Sequence, residues 1–218
     1  MQPSFVRTSL AAAVAALATA APAAAQIRIP PVRLILGGGE TVGYALGSLA
    51  PDTNRTYARH HDAAALQIGL ETDAPVRGVD LRLNYQVSNP LLRLTDFRNE
   101  TEQDVFRTGV GTLTLDAAIH LPRVLDATPY VLVGAGIRNY DFHQVYFHDS
   151  NQAADPKDET DLGVRWGAGF RWNVGRYDIF VEGSRFTSWF QNDPVGPALT
   201  RAVKDYTFTA GFRIPIHR

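Results

Sequence analysis

Apolar and polar residues alternate with a period of two in eight segments of this 218-residue chain. From Val79 to Val87, Val, Leu and Tyr occupy the odd positions, and Asp, Arg, Asn and Gln occupy the even ones. Successive side chains of a β-strand point to opposite faces, so the pattern predicts strands whose two faces meet different surroundings. The other segments are Arg33 to Leu49, Ala63 to Thr72, Gly111 to Leu121, Tyr130 to Phe142, Leu162 to Val174, Tyr177 to Trp189 and Lys204 to Ile216.

The connections between these segments are alternately short and long. The short ones are 73–77, 122–129 and 175–176, and the long, polar ones are 50–62, 89–104, 143–161 and 191–203. Sequential strands with this spacing form an antiparallel meander whose two ends lie in different surroundings, as in a transmembrane β-barrel. The sequence therefore predicts an all-β fold, an eight-stranded antiparallel up-and-down barrel with both termini at the short-turn end.

Alternation alone does not say which face of the barrel points inward. A soluble, lipocalin-like barrel turns its polar face to water, whereas an outer-membrane barrel turns its apolar face to lipid. The polar faces here are rich in small residues, and the whole chain has only two lysines, Lys157 and Lys204. Aromatic residues sit near the ends of the apolar faces, as in interfacial girdles: Tyr85, Trp172, Tyr177, Trp189 and Phe212. These features favour a transmembrane barrel.

The first 25 residues differ in composition from the rest of the chain. They carry one charged side chain, Arg7, followed by a short apolar run and a small-residue site ending at Ala25. This pattern predicts a cleavable secretory signal peptide over residues 1–25, a mature chain that begins at Gln26, and one barrel domain over 26–218. The formal net charge of −1 leaves no basic surface for nucleic acid, and the absence of cysteine excludes a disulfide framework.

Several short motifs resemble the small outer-membrane β-barrels of Gram-negative bacteria, the OmpA/OmpX-like group. They are Pro129 to Gly136, Trp166-Gly-Ala-Gly-Phe170, Ile179 to Arg185 and Phe208-Thr-Ala-Gly-Phe212. The resemblance implies an outer-membrane location and contact with outer-membrane lipid, lipopolysaccharide and the barrel assembly machinery. The chain departs from the group at its end, because such barrels usually finish on an aromatic residue, whereas here Pro215 lies in the last strand and His217-Arg218 follow.

Charged residues on the polar faces predict an ion network inside the barrel. Five acids and five arginines share these faces: Glu71, Asp80, Asp116, Asp178, Glu182, Arg82, Arg138, Arg165, Arg171 and Arg213. An eight-stranded barrel is just wide enough for its side chains to fill it, and buried charges must be paired. Gly175-Arg176 suits a type II′ hairpin turn, which sets Val174 opposite Tyr177. That register places Arg171 beside Asp178 and Glu182, and Arg213 on the next strand is expected to approach the same two carboxylates.

Two loop regions carry residues that metal sites or enzymes use. His60-His61 and the group His143, His148 and Asp149 are interpreted as solvated loop residues, so no metal site and no cofactor are predicted. His148-Asp-Ser-Asn151 resembles an element of outer-membrane lipid A deacylases. The resemblance would make His148 the base, Ser150 the nucleophile, and Glu159 or Asp161 the orienting acid. In that family the element lies on a strand near the C-terminus, whereas here it lies in a polar loop.

Three functions remain open from the sequence. The first is a non-enzymatic, monomeric outer-membrane protein with a plugged lumen, whose external loops make surface contacts or support envelope integrity. The second is a narrow passive channel for small or hydrophobic solutes. The third is an outer-membrane lipid-modifying acyl hydrolase. The sequence names no ligand for the external loops.

Overall fold

The computed structural model describes residues 30–42, 45–48, 56–96, 101–144, 159–189 and 202–217. These ranges contain eleven strands: β1 (Val32–Val42), β2 (Ala45–Ser48), β3 (Thr56–His60), β4 (Ala63–Asp73), β5 (Val79–Ser88), β6 (Leu91–Asp96), β7 (Thr101–His120), β8 (Ala127–Gln144), β9 (Glu159–Val174), β10 (Tyr177–Trp189) and β11 (Ala202–His217). All of their pairings are antiparallel. Within the same ranges, no helix has the length and apolarity that a membrane-crossing helix needs.

Eight of these strands close into a barrel: β1, β4, β5, β7, β8, β9, β10 and β11. Each pairs with the next of the eight along the chain, and β1 closes the circle on β11 from Val32↔His217 to Val42↔Tyr206. A closed sheet leaves no unpaired strand edge, which is the condition for crossing a bilayer with strands. The predicted eight-stranded antiparallel barrel is confirmed.

The strands are strongly tilted. Following register partners once around the barrel from Asp178 on β10, beginning with β11, leads back to β10 at Ser188. The strands are therefore staggered by ten residues over one full turn of the barrel. With a rise of about 3.3 Å per residue and about 4.8 Å between strands, this stagger gives a tilt of about 40°. Because of this tilt, side chains on different strands that lie at the same height along the barrel axis are not all register partners of one another.

The apolar face of the barrel points outward. On β5, Asp80, Arg82 and the two polar residues that follow at alternate positions are buried, whereas the intervening Leu81 to Val87 positions are 39–43% exposed. The predicted girdle residues Tyr85, Tyr177 and Phe212 also face outward and are exposed, and Trp172 is half-buried. The Trp189 side chain lies outside the described residues. This polar-inside arrangement is the one predicted for a barrel surrounded by lipid.

Part of the long-loop end is strand, which corrects the loop prediction. β2, β3 and β6 pair in the order β2-β3-β6-β7, beyond the barrel rim. The first strand predicted as Arg33 to Leu49 is two strands, β1 and β2, and strand structure also occupies parts of 50–62 and 89–104. A tilted strand needs about 9–11 residues to cross a bilayer, so the 20-residue β7 extends well beyond one. These segments pair with one another, and pairing satisfies their backbone groups without a clear alternation in sequence.

Two local features explain details at the short-turn end. Gly175 has a φ of +66°, whereas Arg176 does not have a positive φ, which matches the predicted type II′ turn.

Opposite Pro215, the pairing of β1 with β11 shifts register between Val32 and Arg33. Proline lacks the N–H that a regular ladder needs, and a bulge accommodates it. The predicted connection 122–129 is shorter than expected because β8 already begins at Ala127.

Candidate functional site: the charged interior of the barrel

All ten predicted interior charges lie on the inner face of the barrel. Eight of them are buried, and the other two, Arg171 and Asp178, have side chains that are 21% and 19% exposed near the short-turn mouth. Every second residue of a strand points into the barrel, and on each strand these are the polar positions. The pairing within each hairpin keeps the polar positions of neighbouring strands on the same face of the sheet. The interior charges form three layers along the barrel axis.

The central layer is built around Glu182 on β10. Its carboxylate accepts hydrogen bonds from Arg82 on β5 at 2.6 Å and from Arg165 on β9 at 2.6 Å. The hydroxyl of Tyr130 donates a third at 3.0 Å. Charge-assisted hydrogen bonds of this length are among the strongest in proteins. Because Arg82 lies across the lumen from β10, this layer links opposite walls of the barrel.

The two arginines of the central layer each reach a second carboxylate. Arg82 lies 3.0 Å from Glu71 on β4, and Arg165 lies 2.8 Å from Asp116 on β7. The row of charges therefore alternates in sign from Glu71 to Asp116 through Arg82, Glu182 and Arg165. Arginine's planar fork can bridge two carboxylates at once, which explains why a lysine would not serve here.

A glycine makes room for the tyrosine in this layer. Gly169 pairs with Tyr130 on one side and with Glu182 on the other. A Cβ built at Gly169 would lie 2.6 Å from the Tyr130 hydroxyl and 2.6 Å from the ring. The tyrosine ring therefore lies across a bare backbone and reaches the carboxylate two strands away. Any larger residue at this position forces the ring to move.

The second layer lies at the short-turn mouth and centres on Arg213. Arg213 contacts Glu71, lies 2.9 Å from Asp178, and lies 3.1 Å from Asp80. At the edge of this layer, Arg171 lies 3.5 Å from Asp80 and 4.0 Å from Asp178. Arg33 with Asp73 at 2.6 Å, and His120 with Asp80 at 2.8 Å, complete the layer.

The third layer lies toward the long-loop end. Arg138 forms a buried ion pair with Asp205 at 2.8 Å, and its guanidinium carbon lies 4.3 Å from the centre of the Phe186 ring. An uncharged belt separates this layer from the central one. Its hydrogen bonds include Gln67 to Asn84 at 2.8 Å and Gln86 to Thr207 at 2.9 Å.

The predicted partners of Glu182 were wrong. The expectation placed Arg171 and Arg213 near it, whereas Arg82 and Arg165 bind it. Arg171 does lie near Asp178, and the predicted register of β9 with β10 is confirmed from Tyr177↔Val174 to Gly169↔Glu182. The error came from considering only neighbouring strands. In a narrow, tilted barrel a long side chain reaches the opposite wall as readily as the next strand.

Sequence reasoning also missed members of the network, namely Arg33, His120, Tyr130 and Asp205. Asp205 shares the parity of Arg213 on β11, and Tyr130 shares the parity of Arg138 on β8, so the alternation contained the signal. The apolar ring of Tyr130 hides it in the sequence pattern, where it does not stand out as a polar position. Its hydroxyl is what joins it to the interior.

Two cavities of very different size border the interior charges. Between the central and third layers lies a cavity of about 10 Å³, bordered by Asn84, Arg138 and Arg165 among others. That volume is about the minimum for one water molecule. A wider vestibule of about 400 Å³ opens at the short-turn mouth, lined by Arg33, Arg123, Arg171, Arg176, Arg213 and two aspartates among others. The central layer closes the vestibule off from the rest of the lumen.

His60 ends β3 and His143 lies in β8, so these two histidines belong to strands and not to the predicted loops. Five other candidate residues lie outside the described part of the chain. His148, Ser150 and Asp149 are outside it, as are Ala25 and Gln26. Glu159 begins β9 and pairs with Tyr140, and its side chain is not described. Asp161 is fully buried on the inner face. Among the described residues, no group of three or more His, Cys, Asp or Glu side chains is arranged to hold a metal ion.

Solved outer-membrane proteins share this fold, although no family model and no curated protein matches the chain. Neisserial surface protein A aligns over 84% of this chain and 96% of its own, with a TM-score of 0.53 and 10% identity. OprG from Pseudomonas aeruginosa aligns over 87% and 97%, with a TM-score of 0.56 and 14% identity. A major outer membrane protein from Thermus thermophilus aligns over 85% and 99%, with a TM-score of 0.52 and 11% identity. At these identities the likeness concerns the fold.

Proposed function

We propose that this chain, which has the fold of small Gram-negative outer-membrane β-barrels, is a non-enzymatic outer-membrane protein whose lumen is closed. In this proposal the barrel is a rigid membrane anchor, and the elements at its long-loop end make the functional contacts at the cell surface. Residues 1–25 direct export and are removed before the barrel folds into the membrane.

One observation carries the proposal. Arg82 and Glu182 stand on opposite walls and hold each other at 2.6 Å, so the lumen is bridged at its centre. Ion flow would require these two buried charges to separate. Each would then lose one short charge-assisted hydrogen bond and keep only its remaining partners, Glu71 for Arg82, and Arg165 and Tyr130 for Glu182. The bridge is reinforced by Arg165 and Tyr130, which hold Glu182 in place.

The surface role rests on where the extra strands lie. β2, β3, β6 and the first part of β7 continue the sheet beyond the barrel rim at the long-loop end. A sheet that projects from a rigid barrel presents loops at a fixed height and orientation, which suits contact with other molecules or with the envelope itself. The chemistry of that contact is not defined by the fold, because barrels of one architecture carry unrelated functions.

Planar-bilayer recording of the purified protein tests the closed lumen. We expect no stable conductance from the wild type, and small openings from the double variant Arg82→Ala/Glu182→Ala, which removes the bridge and keeps the interior charge balanced. Arg171→Ala, at the edge of the vestibule, serves as a control and should stay silent. Steady single-channel currents from the wild type would overturn the proposal. Loss of heat-dependent gel migration would instead show that the chain is not a membrane barrel.

A narrow passive channel is the second candidate, and the vestibule of about 400 Å³ favours it. A solute that enters this mouth meets arginine side chains and then the central layer. Passage would need the central layer to rearrange, so the same recordings decide between the two candidates. Wild-type currents that are reduced by anions of increasing size would support the channel.

An acyl hydrolase is the third candidate because of His148-Asp-Ser-Asn151. Incubation of the folded protein with lipid A, followed by mass spectrometry, tests it directly. We expect no loss of acyl chains. Deacylation that disappears in Ser150→Ala would replace the non-enzymatic proposal.

A further inference from the structure

One arginine lies on the outer wall of the barrel among residues that face lipid. Arg185 on β10 has the parity of Ile179 and Val181, which are exposed on the outer face, and not that of Glu182. An arginine on the lipid face of a barrel is destabilising at the membrane midplane and much less so near the interface. An ionisable residue in such a place is retained for a function more often than for stability.

The surroundings of Arg185 form a shallow, open cradle. Its register partners are Trp166 on β9 and Tyr206 on β11, and both rings are exposed on the outer wall. The guanidinium carbon lies 5.7 Å from the centre of the Trp166 ring and 5.3 Å from the centre of the Tyr206 ring. Two aromatic rings thus hold the cation in place without neutralising it.

The charge of Arg185 has no partner among the described side chains. Its Nε is buried and makes no hydrogen bond. An acid on the neighbouring part of the outer face is Glu40 on β1, two strands away. Strand spacing and rise per residue put its Cα about 12 Å from that of Arg185. A second cation lies closer. Lys204, which is exposed, pairs with Thr187 and is therefore the diagonal neighbour of Arg185, with about 7–8 Å between their Cα atoms.

The height of Arg185 places it near one boundary of the membrane. It lies eight residues along β10 from Tyr177, which is about 20 Å along the axis of a barrel tilted by about 40°. The apolar band of such barrels is about 25 Å tall. Arg185 therefore lies roughly 5 Å inside the boundary on the long-loop side, within reach of the headgroup region for a side chain that extends toward it.

We infer that Arg185, with Lys204, binds the phosphate of a phosphorylated glycolipid in the outer leaflet, and that Trp166 and Tyr206 pack against the same lipid. The inference rests on the proposed outer-membrane location. Two neighbouring cations without a carboxylate repel each other, and a phosphate between them removes the repulsion and supplies acceptors for the free guanidinium N–H groups. The aromatic rings offer the lipid an apolar surface directly beside the charge.

Native mass spectrometry of the folded protein in detergent micelles tests the inference, with bis-phosphorylated lipid A, phosphatidylglycerol and phosphatidylethanolamine as probes. We expect the wild type to retain lipid A, and Arg185→Gln to retain it about tenfold less, the loss expected for one charge-assisted hydrogen bond. Arg185→Lys should recover part of the binding. Arg77→Gln, which removes an exposed arginine from the turn between β4 and β5, should bind as the wild type does.

A second measurement separates lipid binding from folding. Without lipid A, Arg185→Gln should be at least as resistant to heat unfolding as the wild type, because it removes a charge from the lipid face. With lipid A, the order should reverse. Equal lipid A retention by Arg185→Gln, or retention of phosphatidylglycerol as strong as that of lipid A, would overturn the inference. Heat-dependent gel migration of every variant shows separately whether the barrel itself has formed.

Discussion

Replacing Arg82 with alanine tests the central layer of the interior. The guanidinium is almost fully buried and contacts Glu71 at 3.0 Å and Glu182 at 2.6 Å. Its removal leaves two buried carboxylates, each with one arginine fewer. Removing one partner of a buried ion pair costs about 3–5 kcal/mol. Because Glu71 keeps Arg213 and Glu182 keeps Arg165, we expect the lower end, about 3 kcal/mol.

Arg171→Ala is the matched control for this variant. Arg171 is also an interior arginine, yet its side chain is 21% exposed and its contacts are 3.5 and 4.0 Å long. Partly exposed pairs with loose geometry contribute about 0–1 kcal/mol, so its removal should lower the free energy of unfolding by less than about 1 kcal/mol.

The double variant Arg82→Ala/Glu182→Ala separates charge pairing from the loss of side-chain volume. It removes one charge of each sign and leaves Arg165 with Asp116 at 2.8 Å. Its destabilisation should be smaller than the sum of the two single variants, by about 2 kcal/mol.

Guanidinium unfolding of the barrel in lipid vesicles, followed by tryptophan fluorescence, measures the free energy of unfolding of four variants: Arg82→Ala, Glu182→Ala, the double variant and Arg171→Ala. If Arg82→Ala and Arg171→Ala cost the same, or if the double variant costs the full sum of the singles, the cross-lumen bridge does not support the barrel as described.

Three more predictions concern other parts of the chain. Gly169→Ala should cost about 2 kcal/mol, because the added methyl group meets both the phenol ring of Tyr130 and the backbone carbonyl oxygen of Val181 at 2.6 Å. Gly38→Ala, with 3.8 Å to the nearest atom, should cost little, and equal unfolding midpoints would contradict this. Asp205→Ala removes the buried 2.8 Å ion pair between Asp205 and Arg138, while Arg138 keeps its hydrogen bond to Thr112. It should cost about 2 kcal/mol in the same denaturation assay, the value of a hydrogen bond to a charged group, and an unchanged midpoint would refute it. Mass spectrometry of the protein from outer membranes should give a chain that begins at Gln26, and an intact leader would exclude the predicted cleavage.

The sequence by itself determined the architecture of the barrel wall. A period of two assigns each side chain to one of two faces, so the eight strands and their inner charges, such as Asp80 and Glu182, were predictable from local pattern. The turn at Gly175 also fixed the register of β9 with β10, because a two-residue hairpin leaves a single pairing. Both are short-range properties, and adjacent residues are enough to encode them.

Only the tertiary structure decided which interior charges meet. Glu182 binds Arg82, which is one hundred residues away in sequence and on the opposite wall, and not Arg171 on the next strand. That choice depends on the closure of β1 on β11 and on the ten-residue stagger, to which all eight strands contribute. The projecting strands β2, β3 and β6 were also missed, because backbone pairing with one another holds them together. Contacts across the lumen are set by curvature and tilt, and no local pattern records these quantities.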